Sequence, residues 1–537
     1  MKKIAIVGVG VTGIYTFFSL IKGGVPLSIT LYEQAKEAGV GMPYNDEDNS
    51  RLMLANIASI EIPPIHSTYL TWLRDQDERR LRRYGVDKAT LHDRQFLPRV
   101  LLGEYFRDQF LALVKQARAC NFEVAVHESC EVTDIDVVAE GVKLWANGVP
   151  VMGFFDLAVI ATGHVWPDGD ETRRAYFPSP WSGLLEAAIP AGRVGVMGTS
   201  LSAIDAAMAV VAQHGRFVTH EDEHLCFELG TASRGLGITL MSRSGILPEA
   251  DFYCPIPYEP LRVVTEQVIE QTIASGQEGL LDRVFSLMAR ELILADPLWS
   301  ERVSLSALDT DSFAEAYFKD RQRYAPFRWA EYNLKEVERN KQDKRTVAWR
   351  YTILRLHEVV QEIVPHLGEQ DRERFNGSLS KVFVDNYAAI PPESIRRLIA
   401  LHRAGVVNVL ELGPEYDMAI EESRTLITIG DKEYVFDVFI DARGQKPLKT
   451  KDLPFPGLRQ RLQAEGEDIP DVGDDYTLQE PEVARGRIAF GALPYLMHDQ
   501  PFVQGITASA EIGAAIASAA IRMARRRRGR LEFIDSW

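Results

Sequence analysis

Two glycine-rich turns constrain this chain more than any other feature. Gly8-Val9-Gly10-Val11-Thr12-Gly13 lies close to the start, and Gly198-Thr199-Ser200-Leu201-Ser202-Ala203 comes much later. Each stands directly after a short apolar run, Ile4-Ala5-Ile6-Val7 and Arg193-Val194-Gly195-Val196-Met197, of the kind that forms a buried parallel strand. Each also opens a run that reads as an apolar helix, Ile14 to Ile21 and Asp205 to Val211. Strand, tight turn and helix in that order build a dinucleotide site. The first glycine permits the turn, the second lets backbone approach a pyrophosphate, and the third lets helix and strand pack. The phosphates then sit on the positive end of the helix. One such site makes a nucleotide binder, whereas two predict a pair of nucleotides exchanging electrons, a flavin and a nicotinamide.

The two turns differ in the residues that succeed them. After the first, Ser28 to Tyr32 reads as a second strand, and Glu33 stands 20 residues beyond Gly13, where an acid reaches a ribose hydroxyl. Gly8, Gly10, Thr12, Gly13 and Glu33 are therefore the candidates for holding FAD. In the second turn Ser200 and Ala203 replace two glycines, but both are small. The next strand, Gly237 to Met241, ends in Ser242-Arg243-Ser244 instead of an acid. A cation with hydroxyls suits a 2′-phosphate, so NADPH is expected over NADH, held by Gly198, Ser200, Ser202, Ser242 and Arg243. A plain surface arginine after a strand is the competing reading of Arg243. Val218 to Arg234 interrupts this unit as an insertion.

Other runs belong with these. Asp156 to His164 is an apolar strand opening into a small-residue turn at Thr162-Gly163, and Val435 to Gly444 repeats the form. Arg487 to Ala492, with Gly491 inside it, reads as a buried strand. Gly505-Ile506-Thr507 then leads an alanine-rich helix to Ala524. Free N–H groups at such a helix start can face the pyrimidine oxygen of a flavin and stabilise negative charge on its reduced form. Arg99 is a candidate for the FAD pyrophosphate or a substrate carboxylate, because a guanidinium grips oxyanions bidentately; a structural ion pair explains it equally well. His66, His92 and His164 read as structural.

Composition narrows the partners. A net charge of −16 argues against general nucleic-acid binding. The basic run Arg525 to Arg528 with Arg530 reads as a solvated helix end, which suits the negative helix terminus. Cys120, Cys130, Cys226 and Cys254 form no CxxC, so neither a zinc ribbon nor a dithiol relay is expected, and free thiols fit a reducing cytoplasm. Lys2-Lys3 before an apolar stretch mimics a secretory start, but the glycine turn comes next instead of a cleavage pattern. No apolar run elsewhere reads as a membrane span. The expected class is α/β: two Rossmann-like dinucleotide-binding domains with a mostly helical insert. The FAD domain is expected to be discontinuous, 1–165 and 405–537, around an NAD(P)H domain at 190–260 and a helical insert at 261–404 that caps the active site. Within the insert, Gln267 to Leu294, Arg345 to Leu367 and Glu393 to Arg403 read as helices. A homodimer is the default oligomeric expectation.

These motifs resemble two-dinucleotide flavoprotein monooxygenases of the flavin-containing and N-hydroxylating types. They are also similar to bacterial FAD/NAD(P)-binding proteins, a group that includes nitrosuccinate-forming aspartate N-monooxygenases. The resemblance is carried by Gly39-Val40-Gly41-Met42-Pro43-Tyr44, Leu52-Met53-Leu54-Ala55-Asn56, Phe96-Leu97-Pro98-Arg99, Gly103-Glu104-Tyr105-Phe106, Met241 to Pro248, Trp349-Arg350 and Gly505-Ile506-Thr507. It implies that the strands ending at Gly163 and Gly444 cross between domains and line a nucleotide. It implies that Asn56 contacts the oxygen adduct of the flavin, where a neutral amide can donate to a peroxide oxygen. It implies oxygen transfer from a C4a-hydroperoxyflavin to a small-molecule substrate, an amine or amino acid, with O2 as co-substrate. Ser200 in place of glycine and the 218–234 insertion depart from the pattern. An NAD(P)H:acceptor oxidoreductase and a non-catalytic flavoprotein sensor remain open beside it.

Overall fold

The computed structural model of the chain describes residues 1–47, 49–166, 175–220 and 224–534, with side chains as far as Arg525. The chain forms two units. One holds Met1–Arg51, Ile57–Val165 and Gln445–Trp537, and the other holds Leu52–Asn56 and Trp166–Gly444.

The first unit begins with β1 (Lys2–Val7), α1 (Val11–Lys22) and β2 (Leu27–Tyr32). The long helix α2 (Arg99–Ala119) then leads to β3 (Glu123–His127). An antiparallel meander of Val132–Val138, Gly141–Ala146 and Val149–Pro150 precedes β4 (Leu157–Ile160). β1 lies between β2 and β4, parallel to both, with Val7 opposite Tyr32 on one side and Ile160 on the other. Ile4, Ala5 and Ile6 are fully buried, as a central parallel strand covered on both faces requires.

The second unit repeats this plan. It contains β5 (Tyr176–Phe177), β6 (Arg193–Met197), α3 (Leu201–Val211), β7 (Gly237–Ser242), β8 (Val407–Glu411) and β9 (Val438–Asp441). Their parallel order is β8-β7-β6-β9-β5. A second antiparallel meander, Asp417–Ile420, Thr425–Ile429 and Lys432–Phe436, precedes β9. The first unit is completed by β10 (Ile488–Phe490), beside β4, and by α4 (Gly505–Ile534), which packs along α1. A Cβ on Gly513 of α4 would stand 2.6 Å from the backbone nitrogen of Thr16, so glycine is what lets the two helix backbones approach.

One device recurs in both units. Asp156, just before β4, accepts the backbone N–H of Lys3 at 2.8 Å and pairs with the Lys2 ammonium. Asp437, just before β9, accepts the backbone N–H of Arg193 at 2.9 Å and pairs with its guanidinium at 3.0 Å. In each unit an aspartate ties the strand after the meander to the start of the strand that leads into the glycine turn.

Several sequence expectations change. Residues 405–444 do not form part of the first unit, because β8 and β9 pair with β7 and β6. The returning segment begins at Gln445 and the second unit already at Trp166. Val435 to Ile440 is two strands, parted at Asp437, because that carboxylate is drawn to Arg193. Gln267 to Leu294 is two helices, Glu266–Ala274 and Leu280–Ala295, broken where Gly276 and Gly279 take φ of +107° and +63°. The 218–234 insertion contains part of an antiparallel hairpin, Gly215–Thr219 with Leu225–Leu229. Gly505–Arg525 is long and apolar enough to cross a membrane by length and composition, against the expectation from sequence. Its packing on α1 is also what a core helix shows. The run Arg525–Arg530 continues α4, and its side chains beyond Arg525 lie outside the described residues.

Candidate dinucleotide sites

The first turn separates glycines that the protein itself needs from one that it does not. Gly8 takes φ +92°, and its amide donates to the Tyr32 carbonyl at 2.9 Å. A Cβ there would stand 2.4 Å from the Ala161 oxygen, and one on Gly13 would stand 2.2 Å from the Gly8 oxygen. Gly10 is different. Its φ of −79° is open to any residue, and the nearest atom to its missing Cβ is the Gly41 Cα, at an ordinary 3.5 Å. Nothing among the described residues demands glycine there, so the vacant volume is room for a group from outside. Gly10 is also the N-cap of α1, with no side chain capping it and no acid in the first turn. Undonated amides at the positive end of a helix, next to open volume, fit a pyrophosphate.

Glu33, buried at the end of β2, closes this turn. One carboxylate oxygen accepts the Val9 N–H at 2.9 Å, and the other accepts the Ala35 N–H at 2.9 Å. A carboxylate has about four acceptor positions, so two remain for ribose hydroxyls. The Thr12 hydroxyl donates to Ser509 of α4 at 3.0 Å, and Ser509 donates to the Gly505 carbonyl at 3.0 Å. Thr12 can therefore offer a ligand its backbone amide, while its side chain joins α1 to α4. Gly491 covers the same corner, where a Cβ would stand 2.9 Å from the Thr12 methyl. Gly505 leads α4 with φ +78°, and Ile506 is buried. At the end of β4 the Thr162 hydroxyl is buried with no hydrogen-bond partner among the described residues, and Gly163 has φ +72°. Arg99 opens α2, half-buried and near Tyr44; burial pushes the Tyr44 phenol up, and Arg99 opposes this. The His164 ring is hydrogen-bonded with Gln445, and burial lowers its pKa.

In the second turn, Gly198 has φ +132° and its amide donates to the Met241 carbonyl at 2.7 Å. A Cβ on it would stand 3.0 Å from the Ala442 oxygen and 3.3 Å from the Ala203 Cβ, so alanine fits where the first turn has Gly13. Ser200 is the N-cap of α3, but its side chain makes no cap bond, and the first turn of α3 carries no acid. Ser202 comes next but one, half-buried. The Ser242 hydroxyl accepts the Gly245 N–H at 3.1 Å and so shapes the bend after β7. Arg243 is exposed, and its guanidinium has no partner among the described residues. A free cation thus stands in the second unit where Glu33 stands in the first.

The two sites also correspond through partners that sequence reading missed. Gly8 packs on Ala161, and Gly198 packs on Ala442. The shared spacing of Asp156-x4-Ala161-x-Gly163 and Asp437-x4-Ala442-x-Gly444 is the signal that could have exposed this. Arg443, paired with Asp441 at 2.9 Å, takes the place of Thr162. Asn56 packs with the second unit. Met53 enters that unit's core, and the Leu52 carbonyl accepts from Arg397 at 2.7 Å. The Asn56 side-chain oxygen is buried with no partner among the described residues.

Two parallel-sheet units, each with a glycine turn at an uncapped helix start, define a two-dinucleotide-binding flavoprotein. Residues 5–165 match the family model described as FAD-NAD(P)-binding, and residues 265–387 match the YdhS-like middle domain. The chain belongs to the YdhS family: it is 64% identical to YdhS of Escherichia coli (strain K12) over 533 residues, 99% of this chain and 100% of that one. Among solved structures it is similar to the ornithine N-hydroxylase of Kutzneria sp. 744, at TM-score 0.49 and 15% identity, covering 98% of this chain and 99% of that one. It is similar also to the bacillithiol disulfide reductase of Bacillus cereus, at TM-score 0.43 and 12% identity, covering 97% and 99%. Likenesses of this order assign no activity.

Proposed function

We propose that this chain is an FAD- and NADPH-dependent monooxygenase acting on a small nucleophilic substrate, with an amine or amino-acid nitrogen as the favoured acceptor of oxygen. The overall balance is NADPH, a proton, O2 and substrate giving NADP+, water and substrate carrying one added oxygen. The observation that carries the cofactor reading is the opposite charge at equivalent places in the two units. Glu33 accepts hydrogen bonds, which suits the free ribose hydroxyls of FAD, whereas the unpaired Arg243 suits a 2′-phosphate. When bound, flavin supplies the two-electron chemistry and the activation of O2.

The chain's own residues supply position. The amides of Val11 and Thr12 at the start of α1 take the FAD pyrophosphate, and those of Leu201 and Ser202 take that of NADPH. Thr162, with its unsatisfied hydroxyl, and Gly163 line the first nucleotide. Gly491, Gly505 and Ile506 set the start of α4, whose N–H groups stabilise negative charge on reduced flavin. Arg99 takes an oxyanion of cofactor or substrate. Asn56 would offer the N–H of a neutral amide, a donor that adds no charge.

The test is NADPH oxidation under 18O2 with a panel of amino acids and amines. One labelled oxygen per NADPH in a product supports the proposal. NADPH consumption that yields only peroxide with every substrate replaces it with an acceptor oxidoreductase. Protein-bound flavin that NADPH cannot reduce replaces it with a non-catalytic flavoprotein.

A further inference from the structure

The second unit has a half-open cavity of about 570 Å3, lined by no residue of its glycine turn or of Ser242-Arg243, within the roughly 300–1,000 Å3 that suits a small organic ligand. Apart from Glu249, its lining comes from Trp299 to Arg350, inside the stretch that matches the YdhS-like middle domain.

A buried ion network forms part of the lining. Glu249 pairs with Arg350 at 2.9 Å and accepts the Trp329 indole N–H at 2.9 Å. Arg321 lies 3.7 Å from Glu249 and is gripped by Asp385, which also accepts the Tyr317 hydroxyl at 2.8 Å. Burial alone would raise the Glu249 carboxyl, but Arg350 and Arg321 hold it below its ordinary range. Two carboxylates thus balance two guanidinium groups, which are only 7% and 5% exposed. The balance in hydrogen bonds is incomplete. The Nε groups of Arg321 and Arg350 are buried with no partner among the described residues. A buried charged donor left without a partner is unfavourable, so an acceptor beside them is favoured.

The remaining charges are lopsided. The acids Asp320 and Glu336 are already paired, with Arg323 at 3.3 Å and Arg350 at 3.6 Å. Arg302 and Arg328 also line the cavity, are exposed, and have no carboxylate partner among the described residues. Counted with their partners Asp385 and Arg323, five guanidinium groups face four carboxylates, so one positive charge is left over, in a chain whose net charge is −16. The walls are aromatic. Trp299 and Trp349 stack at 4.8 Å with their planes 7° apart, and Tyr317 meets Trp349 edge-on at 5.9 Å. Tyr324 and Tyr332, also in the lining, are 47% and 60% exposed, apolar ring area that a flat ligand would cover.

We infer that this cavity binds a small planar carboxylate, its ring against the tryptophan and tyrosine walls and its anion toward Arg302, Arg328 and the buried arginine pair. The inference does not depend on oxygen transfer, and the site is separate from the Arg243 turn.

Indole-3-acetate serves as the probe and indole-3-acetamide as its uncharged counterpart, titrated calorimetrically into the full chain. The expected result is saturable 1:1 binding, at least tenfold tighter for the acetate and unchanged by saturating NADP+. In the double variant R302A/R328A, which alters only exposed side chains, acetate affinity should fall to that of the amide with the melting temperature unchanged. Absence of saturable binding, equal affinity for both probes, displacement by NADP+, or undiminished acetate binding in the double variant would each overturn the inference.

Discussion

The carboxylate of Glu33 holds the amide of Val9 at 2.9 Å, so the acid that ends the second strand also braces the glycine turn after the first. Glu33→Ala removes both the ribose acceptor and the partner of two buried or half-buried amides. Each amide left unpaired costs about 1–3 kcal/mol. The variant should purify with little FAD and melt at a lower temperature, read by absorbance and thermal unfolding. Normal flavin content would remove Glu33 from the site.

Gly10 and Gly13 should behave in opposite ways. Gly13→Ala drives a Cβ to 2.2 Å from the Gly8 oxygen and should destabilise the apo-protein itself. Gly10→Ala meets only an ordinary 3.5 Å contact. It should cost the apo-protein only the cap preference for glycine over alanine, about 1 kcal/mol, yet weaken FAD binding at least tenfold. Unchanged FAD affinity in Gly10→Ala would show that the volume beside Gly10 is not the pyrophosphate site.

Arg243→Ala should discriminate between the two nicotinamides. A hydrogen bond to a charged group contributes about 1.5–3 kcal/mol, so KM for NADPH should rise roughly tenfold to a hundredfold while KM for NADH stays nearly constant. Equal effects on both would return Arg243 to an ordinary surface residue.

His357 gives a pH signature of stability. Burial lowers its pKa to about 4, against an ordinary value of 6.5, and the ring stacks on Tyr387 at 5.1 Å. Between those two values the unfolded chain binds the proton and the folded chain does not. This contribution is therefore complete above pH 6.5 and is lost as pH falls toward 4, at up to about 1.4 kcal/mol per pH unit. In His357→Gln the stability profile across that window should be flatter by that amount. A superimposable profile would mean that the folded ring titrates normally.

The chain's local grammar was legible from sequence. Gly8 to Gly13, the helix after it and Glu33 lie within about 30 residues, and the chemistry that links them depends on φ freedom, helix starts and strand length, all of which are local. The same reasoning placed Gly198, Ser200 and Arg243 correctly at a turn, a helix start and a strand end. The tertiary structure alone decided which unit each returning strand joins. β9 reads like β4 in sequence, but a strand's own residues do not name the edge it pairs with, and that choice moved 405–444 into the second unit. It alone decided that the Thr12 hydroxyl is taken by Ser509, nearly 500 positions away. It also gathered Glu249, Arg321 and Arg350 into one buried network. A charged side chain in sequence reads as surface, because burying it is unfavourable unless a partner arrives, and the partner comes from the fold.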